Sequence, residues 1–341
     1  MLVVVQSLFG AYAYFTSRVL SGPGAVSPLA FAWVRDVIAT AALAAAVGVR
    51  AARLPAGQPR VLLPAAPDGL RVLACGLLGV WGSQGMSALA LAHLDGPTFA
   101  LLQPLMPCIG LCAALAAGVE APLRVRDRAA WAKGGGLVLA AGGAVGIVLA
   151  GRASSSGSSS SSGSGAGRAL GFAFTAIQLL MGGTYAVVQR PLLARYPPLS
   201  VAAWGYAAGL GLLTLSVATG AADASAWAFS PAAGGAVVFA GLCASALAYF
   251  LLAAANARAG PLVTMAFYPL SPVIAAALAW ALQGQAPTLA QGAGLAAIAG
   301  GLLAVLAGKA AEGRAGLPPQ GSSSGADSSK VPLLEEEVGG R

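Results

Sequence analysis

Gly96-Pro97-Thr98-Phe99-Ala100-Leu101-Leu102-Gln103-Pro104-Leu105-Met106-Pro107 returns later in the chain as Gly260-Pro261-Leu262-Val263-Thr264-Met265-Ala266-Phe267-Tyr268-Pro269-Leu270-Ser271-Pro272. Both stretches open on Gly-Pro and close on a polar residue followed by Pro-x-x-Pro. Pro104 with Pro269, Pro107 with Pro272 and Glu120 with Gln285 each lie 165 positions apart, so the chain reads as a duplicated unit. Each copy sits in an apolar stretch of about twenty residues, enough for a helix to cross roughly 30 Å of hydrocarbon. Proline has no amide proton, so Pro104, Pro107, Pro269 and Pro272 read as helix-breaking. They are expected to strip the ladder partner from the carbonyls of Ala100, Gln103, Met265 and Tyr268. Lipid cannot replace those partners. Interruptions at matched places in two halves are therefore expected to be packed in protein or to line a wet cavity, as at a transporter's binding site.

The composition agrees with a polytopic membrane protein. Hydrophobic residues make up 57% of the chain and charged residues 9%, against about a quarter charged in a soluble domain. The formal net charge of +8 is scattered singly between apolar runs with no basic stripe among aromatics, so it reports topology and not nucleic acid as a partner. Cys75, Cys108, Cys112 and Cys243 all fall inside apolar runs. Cys108 and Cys112 share a helix face without a second pair of ligands, so neither a metal nor a cofactor is expected. No catalytic residue is expected either. The sole histidine, His93, is at the end of a run, and Gly134-Gly135-Gly136 lacks the Lys-Ser/Thr of a phosphate cradle. Those glycines, with Gly142, Gly143, Gly146, Gly292, Gly294, Gly300 and Gly301, are expected to let helices approach closely.

Apolar runs at 2–20, 29–49, 70–92, 97–119, 133–150, 169–189, 199–219, 233–255, 261–282 and 288–308 predict ten transmembrane helices in an all-α integral membrane fold. The first run begins at Met1 without a charged segment before it and is expected to stay as a span. Serine and glycine fill the region between the fifth and sixth runs. The organisation is therefore a five-helix repeat at 1–152, a Ser/Gly-rich linker at 153–168, a second five-helix repeat at 169–308 and a disordered cytosolic tail at 309–341. Arg50, Arg53, Arg60, Arg71, Arg124, Arg126, Arg128, Lys133, Arg190, Arg195 and Arg258 gather on one side, leaving Arg18, Arg152 and Arg168 on the other. The rich side is the cytoplasmic one, both termini lie there, and an odd number of spans per repeat inverts the second repeat relative to the first.

With these residues in place the chain resembles the drug/metabolite transporter superfamily, in particular its EamA-type ten-helix members. The Pro-to-acid signature closing the fourth helix of each unit is matched by Pro107 to Glu120 and, with Gln for Glu, by Pro272 to Gln285. Within the superfamily it is most similar to the plant nodulin-like, Walls Are Thin-related branch. The matching text is Ser27-Pro28 leading to Arg35, Gln84-Gly85, Gly96-Pro97-Thr98-Phe99-Ala100, Tyr196-Pro197 with Leu199-Ser200, and Gly260-Pro261 leading to Tyr268-Pro269. The resemblance covers nearly everything from residue 2 to 310. It implies transport of small organic solutes such as amino acids or auxin-like carboxylates across a plasma, vacuolar or other endomembrane. A nucleotide-sugar or sugar-phosphate exchanger of the same superfamily, or a non-transporting receptor or scaffold, is the alternative.

Arg35 is the foremost candidate for substrate binding. It lies about a third of the way into the second run, where an unpaired charge is costly, and its planar fork suits a carboxylate. A structural pairing is the competing reading. Asp36 is about 100° round the helix and is not expected to neutralise Arg35 in place. Gln103 and Tyr268 occupy equivalent positions before the first proline of each motif, and Gln84 and Tyr249 are a second equivalent pair. All four are candidates for one shared cavity. Gln6 and Gln178 match at an offset of 172, as do Gly10 with Gly182 and Arg18 with Arg190, and read as substrate contacts or interhelical bonds. Trp33, Trp204, Tyr206 and Tyr185 read either as a stacking surface or as interfacial anchors. Asp36 reads as shallow, with Asp95 and Glu120 at span ends, which favours facilitation over tight proton coupling.

Overall fold

The structure, a computed structural model, describes residues 1–21, 26–55, 62–91, 93–94, 99, 102–119, 128–154, 165–219, 227, 229–283 and 289–314. Gly96-Pro97, Glu120, Gln285, most of the Ser/Gly linker and the tail beyond 314 lie outside these residues. Among the described residues every regular element is helical. In chain order they are α1 (Leu2–Ser21), α2 (Pro28–Arg53), α3 (69–91), α4 (Met106–Ala116), α5 (Arg128–Ser154), α6 (Gly165–Leu193), α7 (Pro198–Thr219), α8 (231–259), α9 (261–283) and α10 (Leu289–Arg314).

Among the described residues, six helical stretches are long and apolar enough to cross a bilayer: Pro28–Arg53, Ala66–Ala90, Ala169–Leu193, Pro198–Thr219, Pro231–Ala266 and Gly292–Ala311. Leu2–Thr16, Met106–Ala116 and Val273–Leu282 are shorter apolar helices. Pro231–Ala266, at 36 residues, would extend about 54 Å as one rod. It is bent inside the protein at Gly260, whose φ of 81° and ψ of 171° belong to a region open essentially to glycine alone. That kink separates α8 from α9. Thr264 Oγ1 donates to the Gly260 carbonyl at 2.8 Å and fastens the start of α9.

The prolines break their helices, but the expected loss of carbonyl partners does not follow. Gln103–Leu105 is a 3₁₀ turn leading into α4, and the Met106 amide donates to the Gln103 carbonyl. In α9 the chain turns at 267–269 before the helix resumes at Leu270–Gln283. The Tyr268 amide donates to the Met265 carbonyl at 3.0 Å and the Ser271 amide to the Tyr268 carbonyl at 3.1 Å. In each case the residue just before a proline supplies the proton that the proline lacks. The ladder tightens from i+4 to i+3 spacing and no partner is lost at Gln103, Met265 or Tyr268. Ala100 lies outside the described residues.

Two other departures from α geometry carry no signature in the sequence. Residues Gly76–Gly85 of α3 and Ala240–Leu247 of α8 are π-helical. Gly76 and Gly241 are 165 positions apart, and each admits a neighbouring helix. A Cβ on Gly76 would stand 2.6 Å from the Gly209 amide nitrogen of α7, and one on Gly241 2.9 Å from the Arg35 carbonyl of α2. The packing partners are likewise reciprocal. α1 lies on α9 and α6 on α4, while α2 lies on the π segment of α8 and α7 on that of α3. Gly10 meets the Ser271 carbonyl and Ile274, just as Gly183 meets the Met106 carbonyl and Ile109. That contact pairs Gly10 with Gly183, one residue on from the Gly182 expected from the sequence.

α5 and α10 form an intimate pair. Cβ atoms on Gly136 and Gly143 would fall 2.6 Å from the carbonyls of Gly301 and Gly294. The close approach expected of the glycine runs thus belongs to this subset. Gly134, Gly135, Gly142, Gly146 and Gly292 have open space beside them. Lys133, counted among the basic residues of one side, lies inside α5 and is 1% exposed.

Candidate functional site

The buried face of α2 reads Ala30, Phe31, Arg35, Asp36, Ala39, Leu43 and Val47, an apolar stripe interrupted by two charges. On one side of the interruption Ala30 and Phe31 join Val26, Ala233, Val237 and Ala240 in an apolar cluster. On the other, Ala39, Leu43 and Val47 join Val5, Val72, Leu192 and Val201 in a larger one. The charges are therefore held in a polar layer between two apolar ones. Arg35 begins about 11 Å along α2, counted from Pro28 at 1.5 Å per residue.

Arg35 and Asp36 form an ion pair, contrary to the expectation from their angular separation. Arg35 Nε donates to Asp36 Oδ1 at 2.9 Å, and the two residues are 2% and 0% exposed. The long arginine stem spans the 100° between adjacent positions and brings the guanidinium back to its neighbour. Asp36 is fully enclosed by protein. Arg35 Nη1 donates to the Tyr12 hydroxyl at 2.8 Å, and the guanidinium carbon lies 5.7 Å from the Tyr12 ring centre. Arg35 Nη2 and Asp36 Oδ2 are buried without a hydrogen-bond partner. Both amide atoms of Gln6 on α1, 0% exposed, are in the same condition.

Aromatic residues from four helices and the α9 turn form a cluster that reaches this pair. Tyr206 of α7 and Tyr249 of α8 are buried within electrostatic range of Arg35 and Asp36. Their rings meet edge to face at 5.2 Å. Tyr249 also faces Phe9 of α1 at 6.1 Å and Tyr185 of α6 at 6.0 Å, and Phe9 faces Tyr268 at 6.2 Å. Gln84 of α3 donates to the Tyr206 hydroxyl at 2.7 Å. The π turn brings the Gly79 carbonyl to within 3.4 Å of the Tyr249 hydroxyl, and Gly79 has no side chain to displace the Tyr185 ring. Arg35, Gln84, Tyr249 and Tyr268 thus belong to one neighbourhood built from both halves of the chain, joined by Tyr206 and Tyr185 from the aromatic set. Tyr12 and Phe9 join this neighbourhood without any mark in the sequence pattern.

Gln103 and Gln178 occupy a different place. Their amides bond reciprocally, Gln103 Nε2 to Gln178 Oε1 at 3.2 Å and Gln178 Nε2 to Gln103 Oε1 at 3.4 Å. Gln103 therefore rests on α6 while Tyr268 rests against α1. Of the equivalent pair Gln6 and Gln178, the second makes an interhelical bond and the first makes none. Trp33 donates to Thr214 at 2.9 Å and stacks edge-on with Trp227, and Trp204 donates to the Leu62 carbonyl at 2.8 Å. Neither tryptophan adjoins Arg35 through these contacts.

The arginine-rich end is latched. Asp68, 2% exposed, accepts from Arg71 at 2.9 Å, from Arg195 at 3.1 and 3.2 Å and from the Tyr196 hydroxyl at 2.9 Å. Tyr196 packs edge-on against Trp204. The start of α3 is thereby tied to the turn between α6 and α7. Nearby, Arg190 donates to the carbonyls of Asn256 and Ala257 at the end of α8. An open cleft of about 510 Å³ beside Ala46, Val49, Arg50, Arg53 and Leu54 lies at the far end of α2 from Arg35.

Several solved structures resemble this chain, and one of them, a crystal structure, shares the fold with a TM-score of 0.65 over 89% of this chain and 94% of that one. At 19% identity the likeness speaks for the fold alone. Residues 169–307, covering α6 to α10, match the EamA-like transporter family. The second half of the chain therefore carries an EamA-like domain of the drug/metabolite transporter superfamily, which with the apolar helices supports a multi-pass integral membrane transporter.

Proposed function

We propose that this protein is a carrier of small carboxylate-bearing organic solutes, built from two inverted five-helix repeats that rock about a substrate site at Arg35. The observation that carries the reading is the buried guanidinium: Arg35 is 2% exposed, is reached by aromatic residues of both halves, and keeps one nitrogen unpartnered. A planar fork with a free donor fits a carboxylate, and phenol rings on several sides fit an apolar or aromatic body. The repeat reading is supported by the matched π segments, the matched broken helices and the reciprocal packing of α1 on α9 with α6 on α4. The first half then has the same unit as the EamA-like second half. Gln84, Tyr249 and Tyr268 line the site with Arg35, and Gln103 with Gln178 closes the bundle beyond it. The breaks in α spacing at Pro104 and Pro269 supply the flexure. Both termini and the Asp68 latch are on the cytoplasmic side, by the arginine and lysine bias, and the membrane is a plasma, vacuolar or other endomembrane.

Within the superfamily we infer kinship to the plant nodulin-like branch. A nucleotide-sugar exchanger is disfavoured, because phosphates call for clustered cations and the described cluster around Tyr206 and Tyr249 offers Arg35 already paired with Asp36. Uptake of labelled indole-3-acetate, amino acids and a nucleotide sugar into proteoliposomes tests the proposal. Entry of a carboxylate solute is the expected result. Entry of the nucleotide sugar alone overturns it, and binding without flux makes the protein a receptor.

A further inference from the structure

We propose that Asp36 carries a proton through the transport cycle, so that an anionic substrate and one proton occupy the site together. The inference rests on the carrier reading above and concerns its coupling. The ion pair is closed on itself at 2.9 Å, yet Asp36 Oδ2 and Arg35 Nη2 are both buried without a partner. Buried polar atoms in folded proteins are nearly always satisfied, so two such atoms in adjacent charged residues offer one acceptor and one donor to a water, a proton or a ligand atom.

Charge accounting says what comes. Without substrate, the pair is neutral. A substrate carboxylate taken up by the guanidinium would leave two negative charges against one positive in an enclosed space, and an uncompensated buried charge is strongly disfavoured. A proton arriving from the aqueous side onto Asp36 Oδ2 restores neutrality. It also weakens the hold of Asp36 on Arg35 Nε and releases the fork to the incoming carboxylate. When the substrate leaves on the other side, the proton departs with it and the internal pair closes again.

The groups facing the pair are consistent with a single titrating site. From α1 comes the Tyr12 phenol on Arg35 Nη1, from α7 Tyr206 and from α8 Tyr249. From α3 comes the neutral amide of Gln84 on Tyr206. Phenols ordinarily hold their proton up to about pH 10, which leaves Asp36 as the acid that changes state.

Purified protein is titrated with indole-3-acetate, a monoanion without an ammonium group, and with tryptophan, a zwitterion, between about pH 6 and 8, where both keep their charge state. A pH indicator records protons. For indole-3-acetate the expected wild-type result is a Kd that rises about tenfold per pH unit once the site titrates, with one proton taken up per probe bound. Asp36→Asn presents the protonated form permanently, so it should bind at least as tightly as wild type at the low end, without pH dependence or proton uptake. Asp36→Glu should keep both. Wild-type proton uptake decides the matter by itself if Asp36→Asn does not fold. Binding of indole-3-acetate by wild type without pH dependence or proton uptake overturns the proposal and leaves the Arg35 site standing. Binding of tryptophan alone, again without a proton, assigns Asp36 to the ammonium group and also overturns it. Failure of both probes on every variant removes the carboxylate site and this inference together.

Discussion

Arg35 and Asp36 should behave energetically as one unit. Arg35→Gln removes the 2.9 Å contact to Asp36 and the 2.8 Å bond to Tyr12, and it leaves a fully enclosed carboxylate with no cation beside it. Removing one member of a buried pair costs about 3–5 kcal/mol. Asp36→Asn strands the guanidinium, but Tyr12 still accepts from it, so the cost falls towards the lower end of that range. The double variant Arg35→Gln/Asp36→Asn strands no charge, and its two amides can bond to each other. It should sit within about 2 kcal/mol of wild type, since replacing both partners avoids the desolvation penalty of an orphaned group. With the single variants at about 3 kcal/mol or more each and the double at about 2 or less, the cycle yields a coupling energy of at least about 4 kcal/mol, above the roughly 0.5–3 kcal/mol that residues in contact usually show. Reversible unfolding in mixed micelles, followed by tryptophan fluorescence, measures all four corners. Additivity of the two single variants to within about 0.5 kcal/mol would refute the reasoning, because it would mean that neither group depends on the other for its charge.

Pro104→Ala with Pro269→Ala should leave membrane insertion intact and reduce flux several-fold, since the 3₁₀ turns at Gln103–Leu105 and 267–269 would be free to recover α spacing; unchanged flux in proteoliposomes would separate these breaks from transport. Gly241→Ala places a Cβ 2.9 Å from the Arg35 carbonyl and 2.8 Å from Ile38 Cβ, and should cost about 1–3 kcal/mol in the same unfolding assay. Gly134→Ala, with open space beside it, should cost nothing measurable. A cysteine replacing Ser158 in the Ser/Gly linker should react with impermeant thiol reagent from outside the cytosol; reaction only from the cytosolic side would defeat the inverted arrangement.

Much of the fold was legible because membrane helices announce themselves by length and apolarity. The runs at 29–49 and 199–219 became Pro28–Arg53 and Pro198–Thr219 almost unchanged. Proline fixed where α4 and α9 break, since a missing donor is a local fact of the sequence. How the freed carbonyls were rescued was not legible, because the rescue depends on a neighbouring amide turning through i+3 spacing. The π segments were hidden for a related reason: Gly76–Gly85 and Ala240–Leu247 contain no residue that demands an extra backbone unit per turn. Arg35 was found by its depth in an apolar run. Its partner was missed because helix geometry fixes where Cβ atoms point, whereas an arginine head lies several rotatable bonds farther on. Tyr12 and Phe9 were missed because an aromatic in an apolar helix carries no mark of its tertiary neighbours. The Asp68 latch was missed because its partners, Arg195 and Tyr196, are more than 120 positions away.

Solute that passes through a site held by Arg35 must exchange across the membrane only when that site is intact. Proteoliposomes loaded with unlabelled indole-3-acetate or tryptophan are diluted into the labelled solute, and counterflow is followed for wild type and for Arg35→Gln/Asp36→Asn, whose buried charge is balanced and whose fold is therefore retained. Counterflow by wild type, and no more than the level of empty liposomes for the double variant, is the expected result. Full counterflow by a correctly inserted double variant would contradict it.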